Sequence, residues 1–305
     1  MKKLTAAAGL ALALSAGSAF AADLPSYKAP PPPPPPPMFS WTGVYGGVNI
    51  GYGFGNGDRQ WSTGTDGFVI LPVGIALTAA SPWTLQSTNL NGVIGGGQFG
   101  VNFQFNRWLV LGVEADIQAS GLQSRSFGFG IGPWGAIPGA VSRVYNTTTS
   151  NVDWYGSWRA RFGVTPFSPN LMLYGTAGLA YGGVNTVSSH TTFTTIGATG
   201  LLANGNGSYD KVSFGWTAGA GAEWAPMSFP NWSLKVEYLY TDLGSATINT
   251  VGIGPAFNLI TGAIIPGFAG YNTSATSVAT RWHTVRAGIN YRIPLATAAP
   301  VYAAY

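Results

Sequence analysis

The chain has 305 residues, of which 46% are hydrophobic, 13% are aromatic and only 8% are charged, with a formal net charge of +4. The charged fraction lies far below the quarter or so that is usual for soluble domains, which argues against an ordinary soluble protein. The basic residues are scattered, so we expect no nucleic-acid partner. The chain has no cysteine, so it has neither a disulfide framework nor a thiolate metal site, and we expect no cofactor.

Residues 1–21 have the features of a secretory signal peptide. Lys2 and Lys3 precede an apolar run over 4–14, and Ala19-Phe20-Ala21 provides the small residues of a cleavage site. This run is shorter than the roughly 18 apolar residues that indicate a membrane-spanning helix, and no later segment reaches that length. We therefore predict an exported chain that enters a membrane only as a β-barrel.

A proline-rich linker over 22–38 follows the signal peptide. The unbroken run Pro30–Pro37 must adopt polyproline II and spans about 25 Å at roughly 3.1 Å per residue. We interpret the linker as a periplasmic spacer; a stiff arm that reaches a partner is the alternative.

Strict alternation of side chains is the strongest pattern in the sequence. Between Val93 and Phe105, and again between Trp108 and Ser120, apolar residues alternate with glycine or polar residues. Such alternation predicts strands with one apolar face, and runs of this length suit strands that cross a bilayer. The same pattern predicts eight strands over 39–55, 93–105, 108–120, 153–167, 171–186, 214–225, 232–241 and 281–293.

The connections between these strands alternate between long and short, as they do in outer-membrane barrels. The long ones cover 56–91, 127–151, 187–212 and 242–279. We therefore predict an all-β, eight-stranded antiparallel up-and-down transmembrane barrel over 39–293, with short periplasmic turns and long extracellular loops. Aromatic residues fall where membrane girdles are expected. We assign Trp41, Phe105, Trp108, Phe167, Trp224 and Trp232 to the periplasmic girdle, and Trp154, Trp216, Tyr240 and Trp282 to the outer one.

Charged residues fall on the face that points into the predicted barrel. An eight-stranded barrel is just wide enough for side chains to fill, and buried charges must be paired. We therefore predict an ion-pair network that closes the barrel; a gate whose partners exchange and admit water is the alternative. The network would comprise Glu114, Asp116, Arg159, Arg161, Glu223, Lys235, Glu237, Arg286 and Arg292.

The sequence gives little evidence of a catalytic site. Glu114 and Asp116 share a face, as general acid–base catalysis requires, but the facing arginines explain them better. His190 falls in a predicted loop and His283 on the outward face near the outer rim, and neither has an indicated acid partner. We predict that the protein is not an enzyme, and a lipid-modifying barrel enzyme is the least favoured alternative.

The last predicted strand ends in a pattern that resembles the terminal β-signal of outer-membrane proteins, with Gly288, Tyr291 and Ile293 at its characteristic positions. The segment Trp41-Thr42-Gly43-Val44-Tyr45-Gly46-Gly47 follows a signal peptide and a proline-rich arm. Together these features resemble the alphaproteobacterial outer-membrane immunogenic proteins, which are small OmpA-like barrels of the "porin family".

This resemblance implies a protein of the Gram-negative outer membrane that contacts lipid and is inserted by the barrel-assembly machinery. It also implies a role in envelope integrity and as a surface antigen. A narrow channel for small solutes is the alternative, and a periplasmic or host partner is left unspecified. The sequence departs from the family pattern after Ile293, where we expect a C-terminal tail, 294–305, outside the barrel on the periplasmic side.

Overall fold

The computed structural model of the protein describes residues 39–55, 57–70 and 74–295. The predicted signal peptide (1–21), the predicted linker (22–38) and most of the predicted tail (296–305) lie outside these residues. No helix within the described ranges is long and apolar enough to cross a membrane.

Eleven antiparallel strands follow one another along the described chain. They are β1 (Gly43–Phe54), β2 (Asp58–Ile70), β3 (Gly74–Ala80), β4 (Thr84–Thr88), β5 (Gly92–Gln104), β6 (Leu109–Pro133), β7 (Val141–Ser168), β8 (Leu171–Ile196), β9 (Thr199–Trp224), β10 (Trp232–Asn258) and β11 (Ile264–Pro294).

Eight of these strands form a closed barrel. Their order is β1-β5-β6-β7-β8-β9-β10-β11, and β11 pairs again with β1. In the closing register Val48 of β1 lies between Gly97 of β5 and Ile289 of β11. The predicted eight-stranded antiparallel barrel is therefore confirmed, and each of its strands overlaps one of the predicted strands.

The two faces of the barrel strands differ as the alternation predicted. On β6 the side chain of Val113 is 55% exposed whereas Glu114 is 2% exposed, and on β10 Val236 is 57% exposed whereas Glu237 is 1% exposed. Outward apolar side chains face the surroundings of the barrel, and the polar face is buried inside it. This is the arrangement that a barrel wall in lipid requires.

The aromatic girdles are confirmed at most of the predicted positions, but two assignments are wrong. Trp108 and Trp232 are exposed near the short turns, and Trp154 and Trp216 are exposed toward the opposite end of the barrel wall. The side chains of Trp41 and Trp282 are instead buried inside the barrel. The reason is strand periodicity, because Trp41 lies four residues before the inward-facing Tyr45, and Trp282 four before the inward-facing Arg286.

Most of each predicted long loop is wrong, because the strands continue through it. The hairpins β6–β7, β8–β9 and β10–β11 turn only at 134–140, 197–198 and 259–263. Their inner faces carry mainly Ser, Thr and Asn, and their outer faces are mixed, so an apolar–polar alternation does not reveal them. These hydroxyls pair with one another instead: Ser150 Oγ lies 2.9 Å from Thr186 Oγ1, and Thr250 Oγ1 lies 2.7 Å from Ser274 Oγ. We call this part of the sheet the extracellular extension.

The predicted loop 56–91 is also wrong, since it contains the three additional strands β2, β3 and β4. Beyond the membrane β11 exchanges partners, because its segment His283–Pro294 pairs with β1 whereas Phe268–Thr276 pairs with β2. β2 pairs in turn with β4 through its first residues and with β3 through its last ones. The ladder therefore continues into the extracellular extension with β2 in place of β1.

Short turns close the other end of the barrel, as predicted. Between β5 and β6 the side-chain oxygen Oδ1 of Asn106 accepts hydrogen bonds from the backbone N–H groups of Trp108 (3.0 Å) and Leu109 (2.8 Å). An asparagine that binds the backbone two or three residues further on is a common device of tight turns. It allows β6 to begin immediately.

Replacing Val236 by Arg should impair assembly of the barrel. An arginine near the bilayer midplane on the lipid-facing side costs about 2–4 kcal/mol, and Val236 faces outward in the middle of the transmembrane part of β10. The fraction of heat-modifiable protein in isolated outer membranes measures the effect. The matched control is Asn249→Arg, at an exposed position of the same strand in the extracellular extension. Equal loss for both variants would contradict the assigned membrane position.

Candidate functional site in the barrel interior

Eight of the nine predicted interior charges meet in one band of the barrel. The register of the strands positions them, since Glu114 of β6 lies opposite Arg159 of β7, and Glu237 of β10 lies opposite Arg286 of β11. We call this set the ion network. Its members are Glu114, Asp116, Arg159, Arg161, Glu223, Lys235, Glu237 and Arg286.

Glu114 lies at the centre of the ion network. Its two carboxylate oxygens lie 3.0 and 3.1 Å from Nζ of Lys235. Oε1 also accepts from Nη2 of Arg159 at 2.5 Å and lies 3.6 Å from Nη2 of Arg286. Oε2 accepts a hydrogen bond from the hydroxyl of Tyr45 at 2.8 Å. One carboxylate thus links strands β1, β6, β7, β10 and β11.

Two arginines and two carboxylates form a closed ring of ion pairs beside Glu114. Arg159 donates from Nη2 to Oδ2 of Asp116 at 2.7 Å and from Nη1 to Oε1 of Glu237 at 3.0 Å. Arg286 donates from Nη2 to the same oxygen of Asp116 at 2.8 Å and from Nε to Oε2 of Glu237 at 2.7 Å. Each guanidinium therefore connects two carboxylates, which fixes strands on opposite sides of the barrel.

A second branch runs from Arg161 to Glu223. Nη2 of Arg161 lies 2.7 Å from Oε2 of Glu223, whose other oxygen accepts from Ser233 at 2.5 Å and from Asn290 at 2.8 Å. The guanidinium of Arg161 also lies over the ring of Tyr174, 3.9 Å from its centroid. Such a cation–π contact is strongest where water is excluded.

Two glycines make room for the tyrosines of the network. A Cβ atom at Gly100 would overlap the phenol oxygen of Tyr45, and one at Gly221 would overlap that of Tyr174. Both tyrosines lie flat across a neighbouring strand, so their hydroxyls reach Glu114 and Glu237, respectively.

The assignment of Arg292 to the ion network is wrong. Its guanidinium donates from Nη2 to the backbone oxygen of Pro230 at 2.7 Å, and lies 4.3 Å from the ring centroid of Phe39 and 5.3 Å from that of Trp41. Arg292 lies six residues beyond Arg286 along β11, near the short turns, where aromatic residues rather than carboxylates face it. The alternation of side chains predicts that Arg292 faces the barrel interior. It does not predict that Arg292 lies, along the barrel axis, beside Phe39 and Trp41, which precede β1.

Without Arg292 the ion network is electrically balanced. It contains four carboxylates and four cations, and none of these side chains is more than 3% exposed. Removing one partner of a buried ion pair leaves an uncompensated charge and costs about 3–5 kcal/mol. The network therefore depends on every member.

Apolar layers lie on both sides of the ion network. Toward the short turns, Trp41, Val110, Met172, Tyr174 and Ala225 form one cluster. Toward the extracellular extension, a second cluster contains Leu90, Ile94, Leu122, Val152, Tyr155, Ala180, Val184, Leu243 and Trp282. The rings of Tyr155 and Trp282 meet edge to face, with 5.2 Å between their centroids. Packed apolar side chains thus separate the ion network from both ends of the barrel.

The two histidines lie away from the ion network. His190 is on β8 rather than in a loop, and its side chain is buried in the extracellular extension, where burial lowers its pKa to about 4. His283 faces outward as predicted, stacks on Phe54 and lies 2.6 Å through Nδ1 from the hydroxyl of Tyr238. The structure therefore brings neither histidine to Glu114 or Asp116.

The three residues of the predicted β-signal lie in the part of β11 that closes the barrel. Gly288 pairs with Asn49 of β1, and Ile293 pairs with Val44. Tyr291 is exposed and packs edge to face on Trp232 of β10, with 5.0 Å between the ring centroids.

Sequence reasoning missed three parts of the interior: Tyr174, Met172 and the inward position of Trp41. The available signal was parity, because Met172 and Tyr174 alternate with the outward residues Leu171 and Leu173. An apolar side chain on a mostly polar face does not by itself indicate that it packs across the barrel interior. The separation of the apolar layers along the barrel follows only from the register of all eight strands.

Together, the closed eight-stranded wall, its apolar outer face and its filled polar interior define an outer-membrane β-barrel. The family model described as outer membrane protein beta-barrel domain matches residues 7–278, and the chain belongs to this family. The protein is accordingly located in the outer membrane of a Gram-negative cell.

Two curated outer-membrane proteins are similar to this chain. The 31 kDa outer-membrane immunogenic protein of Brucella melitensis is 33% identical over 288 residues, which cover 92% of this chain and 95% of that protein. The 22 kDa outer membrane protein of Rhizobium leguminosarum bv. viciae is 32% identical over 154 residues, covering 49% and 53%. Among solved structures, OprG of Pseudomonas aeruginosa aligns over 83% of this chain and 97% of its own, at 11% identity and a TM-score of 0.33.

Replacing Arg159 by Ala should lower the free energy of unfolding by about 3–5 kcal/mol, because Glu114, Asp116 and Glu237 each lose a buried partner. Urea titration of the refolded barrel in detergent micelles measures this change. The control is Arg281→Ala, which removes a 3.1 Å pair with Asp242 whose arginine side chain is 43% exposed. An exposed pair contributes less than about 1 kcal/mol, so equal effects of the two variants would contradict the importance of the ion network.

Proposed function

We propose that the protein is a non-enzymatic outer-membrane barrel that supports envelope integrity, holds a closed lumen and displays a folded surface to the exterior. Closure of the lumen is supported by one observation: the balanced ion network lies between two apolar layers. A structural role follows from this arrangement, since a filled barrel joins lipid to a rigid extracellular sheet without a passage through it.

Closure of the lumen is supported by the energetics of its contents. A conducting path needs continuous water, whereas an eight-stranded barrel offers an interior that side chains fill. Here two large tryptophans, Trp41 and Trp282, are buried inside the barrel on either side of the ion network. Opening the lumen would require both apolar layers to separate and the ion pairs to exchange partners together.

Conductance measurements test the closed lumen. Refolded protein that is heat-modifiable, and therefore closed as a barrel, should give no stable current steps in planar lipid bilayers at neutral pH. The matched control is the variant Trp41→Ala and Trp282→Ala, which removes the largest side chain of each apolar layer and should increase current events. Reproducible steps from the unmodified protein would overturn the proposal in favour of a narrow pore.

A role as a surface antigen is supported by the relative from Brucella, whose name describes an immunogenic protein. In this chain the hairpin turns at 134–140, 197–198 and 259–263 would be the parts furthest from the membrane. Ile260, at the β10–β11 turn, is 83% exposed. Such turns and the strands below them would be accessible to antibodies.

Single cysteines test this orientation, since the natural chain has none. Residue 261 lies in the β10–β11 turn, so the thiol of the variant Thr261→Cys should react with a membrane-impermeant maleimide on intact cells. Arg107→Cys lies in the β5–β6 turn at the opposite end and should react only after the outer membrane is permeabilised. The reverse labelling pattern would show that the extension faces the periplasm.

We also propose that the barrel-assembly machinery binds the end of β11 through Tyr291 and Ile293, both of which face outward. Ile293→Asp should then lower the amount of assembled barrel in cells while leaving refolding of the purified chain in detergent unimpaired. An equal defect in both settings would indicate a role in stability alone.

A further inference from the structure

The outward face of β2, β4 and β6 carries cations and aromatic rings above the membrane. Arg59 and Trp61 are exposed on β2, Arg125 and Phe127 are exposed on β6, and Trp83 precedes β4 with its side chain 60% exposed. We call these five residues the arginine–aromatic patch. It belongs neither to the barrel interior nor to the membrane girdles.

Three strands bring the arginine–aromatic patch together. In the β2–β4 ladder Arg59 lies opposite Ser87 and Trp61 opposite Leu85. On the inner side of the sheet, Ser126 of β6 donates a 3.0 Å hydrogen bond to Gln86 of β4. β4 thus lies between β2 and β6, and the patch is one surface across all three strands.

The aromatic rings border a groove beside this surface. The rings of Trp61 and Trp83 lie 5.3 Å apart between centroids. The groove next to Trp83 has a volume of about 400 Å³ and is also lined by Pro82, Phe129 and Ile131. Cavities of some 300–1,000 Å³ accommodate small ligands or single units of larger ones.

The arginines of the patch are available to a ligand. Among the described residues outside the ion network, the one salt bridge joins Arg281 to Asp242, so neither Arg59 nor Arg125 pairs with a described carboxylate. The outward residues of β6 beyond the barrel, from Gly121 to Ile131, include no acid. Asp58, beside Arg59 in sequence, has the opposite parity on β2. The surface therefore has uncompensated positive charge.

The position of the patch relative to the membrane restricts the ligand. Ala119 of β6 pairs with Trp154 of the outer girdle, and Arg125 lies six residues further along the strand. With a rise of about 3.3 Å per residue and a tilt near 40°, Arg125 is about 15 Å above the girdle. This is the height of the sugars and phosphates attached to the outer-leaflet lipid, above its acyl chains.

We propose that the arginine–aromatic patch binds the phosphorylated core oligosaccharide of the lipopolysaccharide that surrounds the barrel. Guanidinium groups recognise phosphate through paired, charge-assisted hydrogen bonds. Exposed indole and phenyl rings offer broad apolar faces with little conformational freedom, onto which the apolar faces of sugar rings pack. The combination favours a ligand that carries both phosphate and sugar, and the groove beside Trp83 receives a sugar unit.

Binding of purified lipopolysaccharide to the full-length protein in phospholipid nanodiscs tests this proposal. Tryptophan fluorescence reports the titration, and rough lipopolysaccharide is compared with the same preparation after enzymatic dephosphorylation. Arg59→Gln combined with Arg125→Gln should weaken binding at least about tenfold, since each charge-assisted hydrogen bond contributes more than an ordinary one. The control is Lys211→Gln, an exposed cation on β9 outside the patch, which should leave binding unchanged.

Two outcomes would overturn the proposal. Equal binding of dephosphorylated lipopolysaccharide, with no effect of the arginine substitutions, would show that phosphate is not recognised. Tighter binding of a soluble sulfated polysaccharide than of lipopolysaccharide would assign the patch to a ligand from outside the cell. Heat-modifiability of each variant confirms that its barrel is closed, so a loss of binding is not mistaken for a loss of fold.

Discussion

The constraint on which this structure depends is that no backbone N–H or C=O group can remain unpaired in lipid. Pairing of β1 with both β5 and β11 meets that requirement, because it leaves no free edge in the membrane. Closure with eight strands also determines the width of the interior. In barrels of this width side chains fill the interior, and here the ion network and the two apolar layers occupy it. The ion network is therefore a consequence of closure as well as a support for it.

A balanced set of charges inside a protein is costly to desolvate, and similar packing by apolar residues is often no less stable. What the ion network adds is specificity. Glu114 accepts hydrogen bonds or ion pairs from residues on β1, β7, β10 and β11 at once, so a shift of one residue in any of these registers would separate a charge from its partner. An apolar interior would tolerate such a shift. The apolar layers beside the network keep water from competing for the same carboxylates.

Strand periodicity made much of this fold predictable. Val113 and Glu114, or Val236 and Glu237, reveal their faces by alternation alone. The pairing of Glu114 with Arg159 follows only from the register of β6 and β7, whose hairpin turns at 134–140. Alternation does not show where a side chain lies along the barrel axis. The separation of Arg292 from the carboxylates, and the seal made by Trp41, depend on how the segment before β1 meets the turn at Pro169, where Trp41 Nε1 donates to the backbone oxygen at 2.9 Å. The strands of the extracellular extension were not predictable, because both of their faces are polar or mixed. Their sequences therefore lack the alternation of apolar and polar residues that indicates a strand.

Continuation of the ladder beyond the membrane restricts how the outer surface of this protein can diverge. In barrels with irregular loops, insertions and deletions alter the surface freely, because a loop tolerates a change of length. Here Ile196 and Thr199 are joined by only two residues, and the strands on either side are paired residue by residue down to the barrel. A single insertion would turn every following side chain to the other face. Variation of this surface is thereby confined to exchange of outward side chains at constant length, with the hairpin tips as the positions where length can vary.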